Sequence, residues 1–181
     1  MFLRIVPISI IPQRVLDTVQ NELENINIKS RVMPKLSVPE DSFNRWRKQH
    51  NAEVILTKLA NESAVKFIDK NIPTIMLIDS DLYFKGLSFV FSLENPTISC
   101  FIVSIARMRP EFYDETPNLN LLAERATKEV IHEVGHHLGL HHCDNRECVM
   151  NFSPSVGDID SKQKYFCESC KINMMAKGIR L

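Results

Sequence analysis

The sequence predicts an α/β (α+β) chain: a mixed twisted sheet with one antiparallel edge strand, helices packed on it, and a small C-terminal subdomain. Three observations predict it. Apolar runs of strand length alternate with stretches whose apolar residues recur at helical spacing. Two of the runs are separated only by Glu94–Pro96, a link short enough to demand an antiparallel hairpin. After Gly139 the periodicity stops, and a segment rich in Asn, Asp, Ser and Pro follows.

Residues 2–10 read as a strand. Val15, Leu16, Val19, Leu23 and Ile26 share one helix face over 12–26, with Pro12 suited to the first turn. Residues 29–36 form a weaker strand, whose Pro34 fits an edge or a strand end. Residues 42–70 look helical, in one or two pieces. Within them Arg45, Arg47 and Lys48 flank Trp46, and a solvated helix face accounts for them better than a nucleic-acid patch. The near-continuous apolar run 72–79 suits a strand covered on both faces. Segments 87–93 and 97–106 form the hairpin. Its second arm is the more apolar and should lie inside; the first has Ser88 and Ser92 among large residues, as an edge would. Residues 116–139 make one long helix, with Thr116 as cap, Pro117 at its first position and Gly139 in the left-handed residue that ends it. The order to that point is β-α-β-α-β-β-β, then the helix.

Basic and acidic side chains balance at 22 each, so no polyanionic partner is expected. The apolar N-terminus is broken by Arg4 and Pro7 and reads as a buried strand, not a signal peptide. No window approaches the ~18 apolar residues of a membrane span. A cytoplasmic monomer is the expectation, with disulfides disfavoured by a reducing compartment. Lone Cys100 reads as a small buried hydrophobe in a strand.

The stretch Val130–Met150, "VIHEVGHHLGLHHCDNRECVM", holds five of the six histidines. His132 and His136 lie four apart on a helix, hence on one face, where two neutral imidazoles can share a zinc ion. Glu133 is a quarter turn away, beside the open metal position, where it can take a proton from zinc-bound water. Gly139 lets the chain turn so that His142 returns as third ligand, leaving a fourth place for water, as in catalytic sites. His137 and His141, also four apart, have no glutamate after the first and no glycine hinge before a third. They are expected at the surface or behind the ligands, and His50 is expected to be unrelated. Cys143 and Cys148 have four residues between them and Cys167 and Cys170 two, spacings that suit a closed four-cysteine zinc site. The long intervening loop leaves two disulfides or reduced thiols open.

His-Glu-x-x-His-x-x-Gly-x-x-His fixes five identities over eleven positions, and with it the sequence resembles the metzincin clan of zinc metallopeptidases. Cys143 directly after the third histidine, then Cys148, Met150 and "FCESC", is similar specifically to the archaemetzincin family. The motif match spans residues 132–170. The resemblance implies a tetrathiolate zinc site of Cys143, Cys148, Cys167 and Cys170, hence two zinc ions per chain. It also implies a methionine turn at Met150 that floors the histidine site without coordinating. Where some metzincins have a helper tyrosine two residues later, this chain has Phe152.

The reading is a metzincin-like zinc metallopeptidase with an N-terminal α/β part, residues 1–138, and a zinc-stapled C-terminal subdomain, residues 139–181, with the cleft between them. Zinc would polarise the scissile carbonyl and acidify water, while Glu133 moves the proton to the leaving amine. The edge strand Ser88–Leu93, with Ser88, Phe89, Val90, Phe91 and Ser92 along the cleft, would bind a peptide or small protein by strand addition. Val90 and Phe91 are the positions where proline would interfere if their N–H groups face the cleft. Two alternatives stay open: a hydrolase of a small amide or N-terminal residue, anchored by Glu94, Glu111, Asp114 or Glu115, and a catalytically silent peptide-binding module.

Overall fold

The computed structural model describes residues 1–61 and 72–179, with residues 60 and 61 described by backbone alone. The chain runs β1 (Phe2–Pro7), α1 (Gln13–Asn25), β2 (Lys29–Val32), β3 (Phe43–Asn44), β4 (Gln49–Asn51), α2 (Ala52–Asn61), β5 (Thr74–Ile78), β6 (Leu82–Tyr83), β7 (Ser92–Asn95) and β8 (Cys100–Ser104). The long helix α3 (Leu119–His137), then α4 (Val156–Ser161) and α5 (Glu168–Ala176), complete it. Short 3-10 turns fill several connections.

The main sheet has the order β2-β1-β5-β8-β7. β1, β2, β5 and β8 run parallel, and β7 closes one edge antiparallel to β8. Side-chain alternation divides the sheet between two cores. Leu3, Ile5, Ile75, Leu77, Phe101 and Val103 join one apolar cluster with the buried faces of α1 and α3. Val6, Met76, Ile78, Cys100 and Ile102 join the other, with Ile55, Leu56 and Leu59 of α2. Both faces are thus covered, which is why β5 and β8 are buried at every position and apolar at all but Thr74 and Ser104. On α1, Val15, Leu16, Val19 and Leu23 are the buried residues, as their spacing predicts. Each is worth roughly 1.5–3 kcal/mol when removed from water.

Three expected elements differ. Residues 43–51 are not helical. They form a small antiparallel pair, β3 with β4, which β6 extends to three strands. Asn44 explains the turn: its side-chain oxygen accepts the Trp46 and Arg47 amides, and Lys48 takes a left-handed φ of 54°. The helix begins only at Ala52, and the rest of the expected helix beyond Asn61 lies outside the described residues. Second, the long helix starts at Leu119. Its cap is Asn118, not Thr116, and the Asn118 side chain accepts the Leu121 amide at 3.0 Å. Third, the hairpin's first arm is a regular strand only from Ser92 to Asn95; Leu87–Phe91 is irregular, joined to β6 by the single Leu82–Val90 bridge.

The C-terminal segment shares the first core through Cys148, Val149, Met150, Phe166, Cys170 and Met174. No described helix is long and apolar enough to cross a membrane.

Candidate active site

Helix α3 carries the first two histidines, and its surroundings fix their orientation. From Arg125 to Gly135 every residue is buried. Its end is a Schellman motif: the Gly139 amide donates to His136 O at 2.8 Å and the Leu140 amide to Gly135 O at 2.9 Å, with Gly139 at φ +78°. That turn reverses the chain and returns His142 to the helix. The ring centroids of His132, His136 and His142 lie 4.6 to 5.3 Å apart, and one nitrogen from each falls within 4.8 Å of the others.

The donor set fits zinc. His132 Nδ1 donates to Val149 O at 2.8 Å and His136 Nδ1 to Leu140 O at 2.9 Å. Each backbone acceptor fixes the proton on Nδ1 and aims Nε2 inward, the usual arrangement behind metal-bound imidazoles. The two Nε2 atoms stand 3.0 Å apart. Burial pushes His132 down to about 2, with nearby Lys162 adding to it, so its ring is neutral and its bare lone pair faces His136. Such a convergence calls for a cation. His142 is exposed at the cleft mouth beside Phe152, their ring centroids 5.0 Å apart.

Glu133 is 4% exposed and accepts a 2.5 Å hydrogen bond from Ser92 Oγ. Burial pushes its carboxyl up to about 8; the Ser92 bond opposes this, and Glu129 and Glu94 add to it. Ser92 was expected on the edge strand, yet this hydrogen bond, which ties the edge to the helix, was not legible beforehand. Glu129, one turn earlier, forms a buried ion pair with Lys162 at 2.8 Å, and Lys162 Nζ also donates to Asn151 O at 3.3 Å. That pair ties α3 to the turn at Met150.

Met150 is fully buried beneath the helix. Gly135 makes the approach possible, because a Cβ there would stand 2.2 Å from Met150 Sδ and 2.9 Å from Phe166 Cε1. Gly135 went unnoticed in the sequence, where a glycine inside a helix between two ligands was the available signal.

A cavity of about 480 Å³ opens over the histidines. Leu87–Glu94 form one wall, α3 the floor, and Phe152, Ser153 and Pro154 border the other side. Of the expected substrate-strand residues Ser88, Phe89, Val90, Phe91 and Ser92, all line the cavity but only Ser92 belongs to a regular strand. The Val90 amide donates to Leu82 O at 3.0 Å, so it does not face the cleft. Phe91 O accepts from Ser104 N, which sets the alternation: the main-chain groups of Ser92 and Glu94 point off the sheet edge. Among the four possible amine anchors, Glu94 lines the cavity; Glu111 lies beside Arg109, and Asp114 and Glu115 are exposed elsewhere.

The cysteines gather into a second cluster. Cys143 Sγ and Cys167 Sγ are 3.7 Å apart, as are Cys148 Sγ and Cys170 Sγ, and all four fall within 4.8 Å. Zinc–sulfur bonds of about 2.3 Å in a tetrahedron put sulfurs about 3.8 Å apart, whereas a disulfide needs about 2.05 Å. The Cys167 amide donates to Cys148 Sγ at 3.3 Å. Cys100 is buried in β8, as expected of a small hydrophobe. His137 is half-buried with its ring edge-on to Phe101, His141 is exposed, and His50 pairs with Ser42 in the small sheet.

A mixed sheet with an antiparallel edge, a helix bearing two histidines and a glutamate, a glycine turn and a returning third histidine together define a zinc metallopeptidase of the metzincin type. The sequence profile of Peptidase family M54 matches residues 6–176, and the chain belongs to that family, the archaemetzincins. It is 40% identical to the archaemetzincin of Saccharolobus solfataricus over 97% of this chain and 95% of the relative. It is 36% identical to that of Pyrococcus furiosus over 92% of this chain and 88% of the relative. Two crystal structures superpose closely. A zinc-dependent peptidase from Methanocorpusculum labreanum gives a TM-score of 0.84 at 28% identity, covering 95% of this chain and 99% of that one. The archaemetzincin of Methanopyrus kandleri gives 0.82 at 30% identity, covering 97% and 94%.

Proposed function

We propose that this metallopeptidase hydrolyses peptide bonds of an extended peptide or small protein, with His132, His136 and His142 holding one zinc ion and Glu133 acting as the general base. The observation that carries the reading is the convergence of two inward-facing Nε2 atoms, with Glu133 next to them on the same helix. Zinc bound there supplies a Lewis acid that polarises a carbonyl and acidifies water. Glu133 takes the proton of the attacking water and delivers it to the leaving nitrogen. Ser92 holds Glu133 Oε1, so the carboxylate keeps one orientation through the transfer. The off-edge groups of Ser92 and Glu94 pair with the substrate backbone, with residues 1–138 and 139–181 as the two walls of the cleft.

A second zinc ion belongs to Cys143, Cys148, Cys167 and Cys170, whose sulfur spacings support a closed tetrahedral site. Cys143 follows His142 directly, and the Cys143 amide donates to Met150 O at 3.0 Å, so the second site braces both the third ligand and the methionine turn.

Glu94 in the cavity favours one alternative, a zinc hydrolase of a small amide or N-terminal residue whose free amine Glu94 would anchor. A panel of peptides with free and blocked N-termini tests both readings, using Glu133→Ala as control. Cleavage of blocked peptides supports an endopeptidase. Cleavage confined to free amines supports the alternative, and no cleavage of any peptide contradicts peptide hydrolysis.

A further inference from the structure

The cleft wall Leu87–Phe91 is irregular backbone, yet it is gripped from behind at three successive residues. Arg47 Nη2 donates to Leu87 O at 3.0 Å and to Ser88 O at 2.8 Å. Gln49 Nε2 donates to Ser88 O at 3.0 Å. The next residue, Phe89, has the Arg107 guanidinium over its ring at 4.2 Å.

These three grips belong to one network. Gln49 is 5% exposed; its oxygen accepts from Arg47 Nε at 2.9 Å and its amide also reaches Asp81 Oδ2 at 3.0 Å. Asp81 in turn receives both arms of Arg107, at 2.7 and 2.8 Å. Arg47 lies in the β3–β4 turn and Gln49 opens β4, and the Asp81 carbonyl accepts the His50 amide at 2.9 Å, so the network is rooted in the small three-stranded sheet. The basic cluster is therefore divided. Arg47 is committed to the wall, while Arg45 is exposed with Trp46 at the turn.

We propose that Arg47, Gln49, Asp81 and Arg107 are positioning residues that preset the cleft wall for an extended substrate, with buried Gln49 as the central node. This rests on the peptide-hydrolysis reading above. The wall has little ladder bonding of its own, so without the network its residues must be ordered each time substrate binds. Preorganisation removes that cost from binding and leaves the chemical step alone. The carbonyls of Leu87 and Ser88 are consumed by the network, which confines strand pairing to the edge from Ser92 onward.

The test compares zinc-loaded Gln49→Met, Arg47→Ala and the control Arg45→Ala. Peptide kinetics, zinc content and hydrogen exchange of the Leu87 and Val90 amides without substrate are measured for each. Gln49→Met should raise KM about tenfold with kcat within about twofold and zinc unchanged. Arg47→Ala should act in the same direction by about threefold, and it carries the test if Gln49→Met does not fold. Both should speed exchange of the two amides, and Arg45→Ala should change nothing. If the wild type cleaves no peptide, the peptide-hydrolysis reading fails separately, and the affinity of a peptidyl hydroxamate, by calorimetry, replaces KM. Unchanged exchange overturns the proposal, as does faster exchange with unchanged KM and hydroxamate affinity, or a fall in kcat with KM unchanged.

Discussion

Replacing Gly135 by alanine tests how the helix rests on the methionine turn. The added Cβ would stand 2.2 Å from Met150 Sδ and 3.1 Å from Met150 Cε. Ordinary heavy-atom contacts are about 3.5–4 Å, so the thioether must retreat by more than about 1 Å. Met150 is fully buried and Phe166 Cε1, 2.9 Å from the same Cβ, blocks one way out. Overpacking of this kind costs about 1–3 kcal/mol. Alanine's better helix propensity returns up to about 1 kcal/mol. The net expectation is a loss of about 1–2 kcal/mol, or a fall in Tm of about 2–8 °C for a chain of this size. The assay is thermal unfolding at a fixed, saturating zinc concentration, since metal binding itself shifts apparent stability. A Gly135→Ala/Met150→Ala double variant removes the offending sulfur and methyl. It should be less destabilised than the sum of the singles by about 1–2 kcal/mol. Gly135→Ala unfolding at or above the wild-type temperature would refute the close-approach argument, and additive singles would refute Met150 as its partner.

Elemental analysis of the purified chain should approach two zinc ions, and mild chelation should strip the three-histidine site first because one of its ligands is exposed; saturation at one zinc with four or five titratable thiols would remove the cysteine site. Cys167→Ser should lower both Tm and the zinc affinity of the histidine site, since Cys143 adjoins His142; full retention of that affinity would show the two sites to be uncoupled. Ser92→Ala should reduce kcat by about tenfold with zinc content unchanged, because Glu133 loses its orienting donor; an unchanged kcat would deny the hydrogen bond a catalytic part. Glu94→Pro should raise KM severalfold by removing an off-edge N–H, whereas Val90→Pro should chiefly destabilise, since its amide is already spent on Leu82 O; the opposite pattern would misplace the substrate edge.

The elements legible in the sequence were those whose periodicity reflects burial. β5 and β8 are covered on both faces and read as nearly continuous apolar runs, and the buried face of α1 reads correctly at Val15, Leu16, Val19 and Leu23, with Ile26 just past the helix end and partly buried. The histidine grouping was legible because ligand spacing on a helix and its terminal turn is a local property, whereas the spacing of the cysteines suggested pairs and only the family resemblance joined all four. The three-stranded sheet was not. Its pairs are two or three residues long, polar, and set by the Asn44 turn and the partner β6, which lies far along the chain. Leu87–Phe91 alternates like a strand, but Val90 pairs with Leu82 of β6 and only the main sheet's edge from Ser92 remained free. The helix start slipped because two good capping residues, Thr116 and Asn118, lie two apart, and the Asn118 side chain reached the Leu121 amide. Gln49 and the Glu129–Lys162 pair act through contacts between distant segments, which no local pattern encodes, whereas Gly135 shows only as a glycine inside a helix, with its partner Met150 set by the fold.

The proposed chemistry depends on Glu133 acting as the base beside a zinc ion held by His132, His136 and His142. Its most direct test is turnover and zinc content measured on the same preparation of Glu133→Ala. That variant should keep wild-type zinc content with peptide turnover reduced about 10²–10⁴-fold. Wild-type turnover at full zinc content would contradict it.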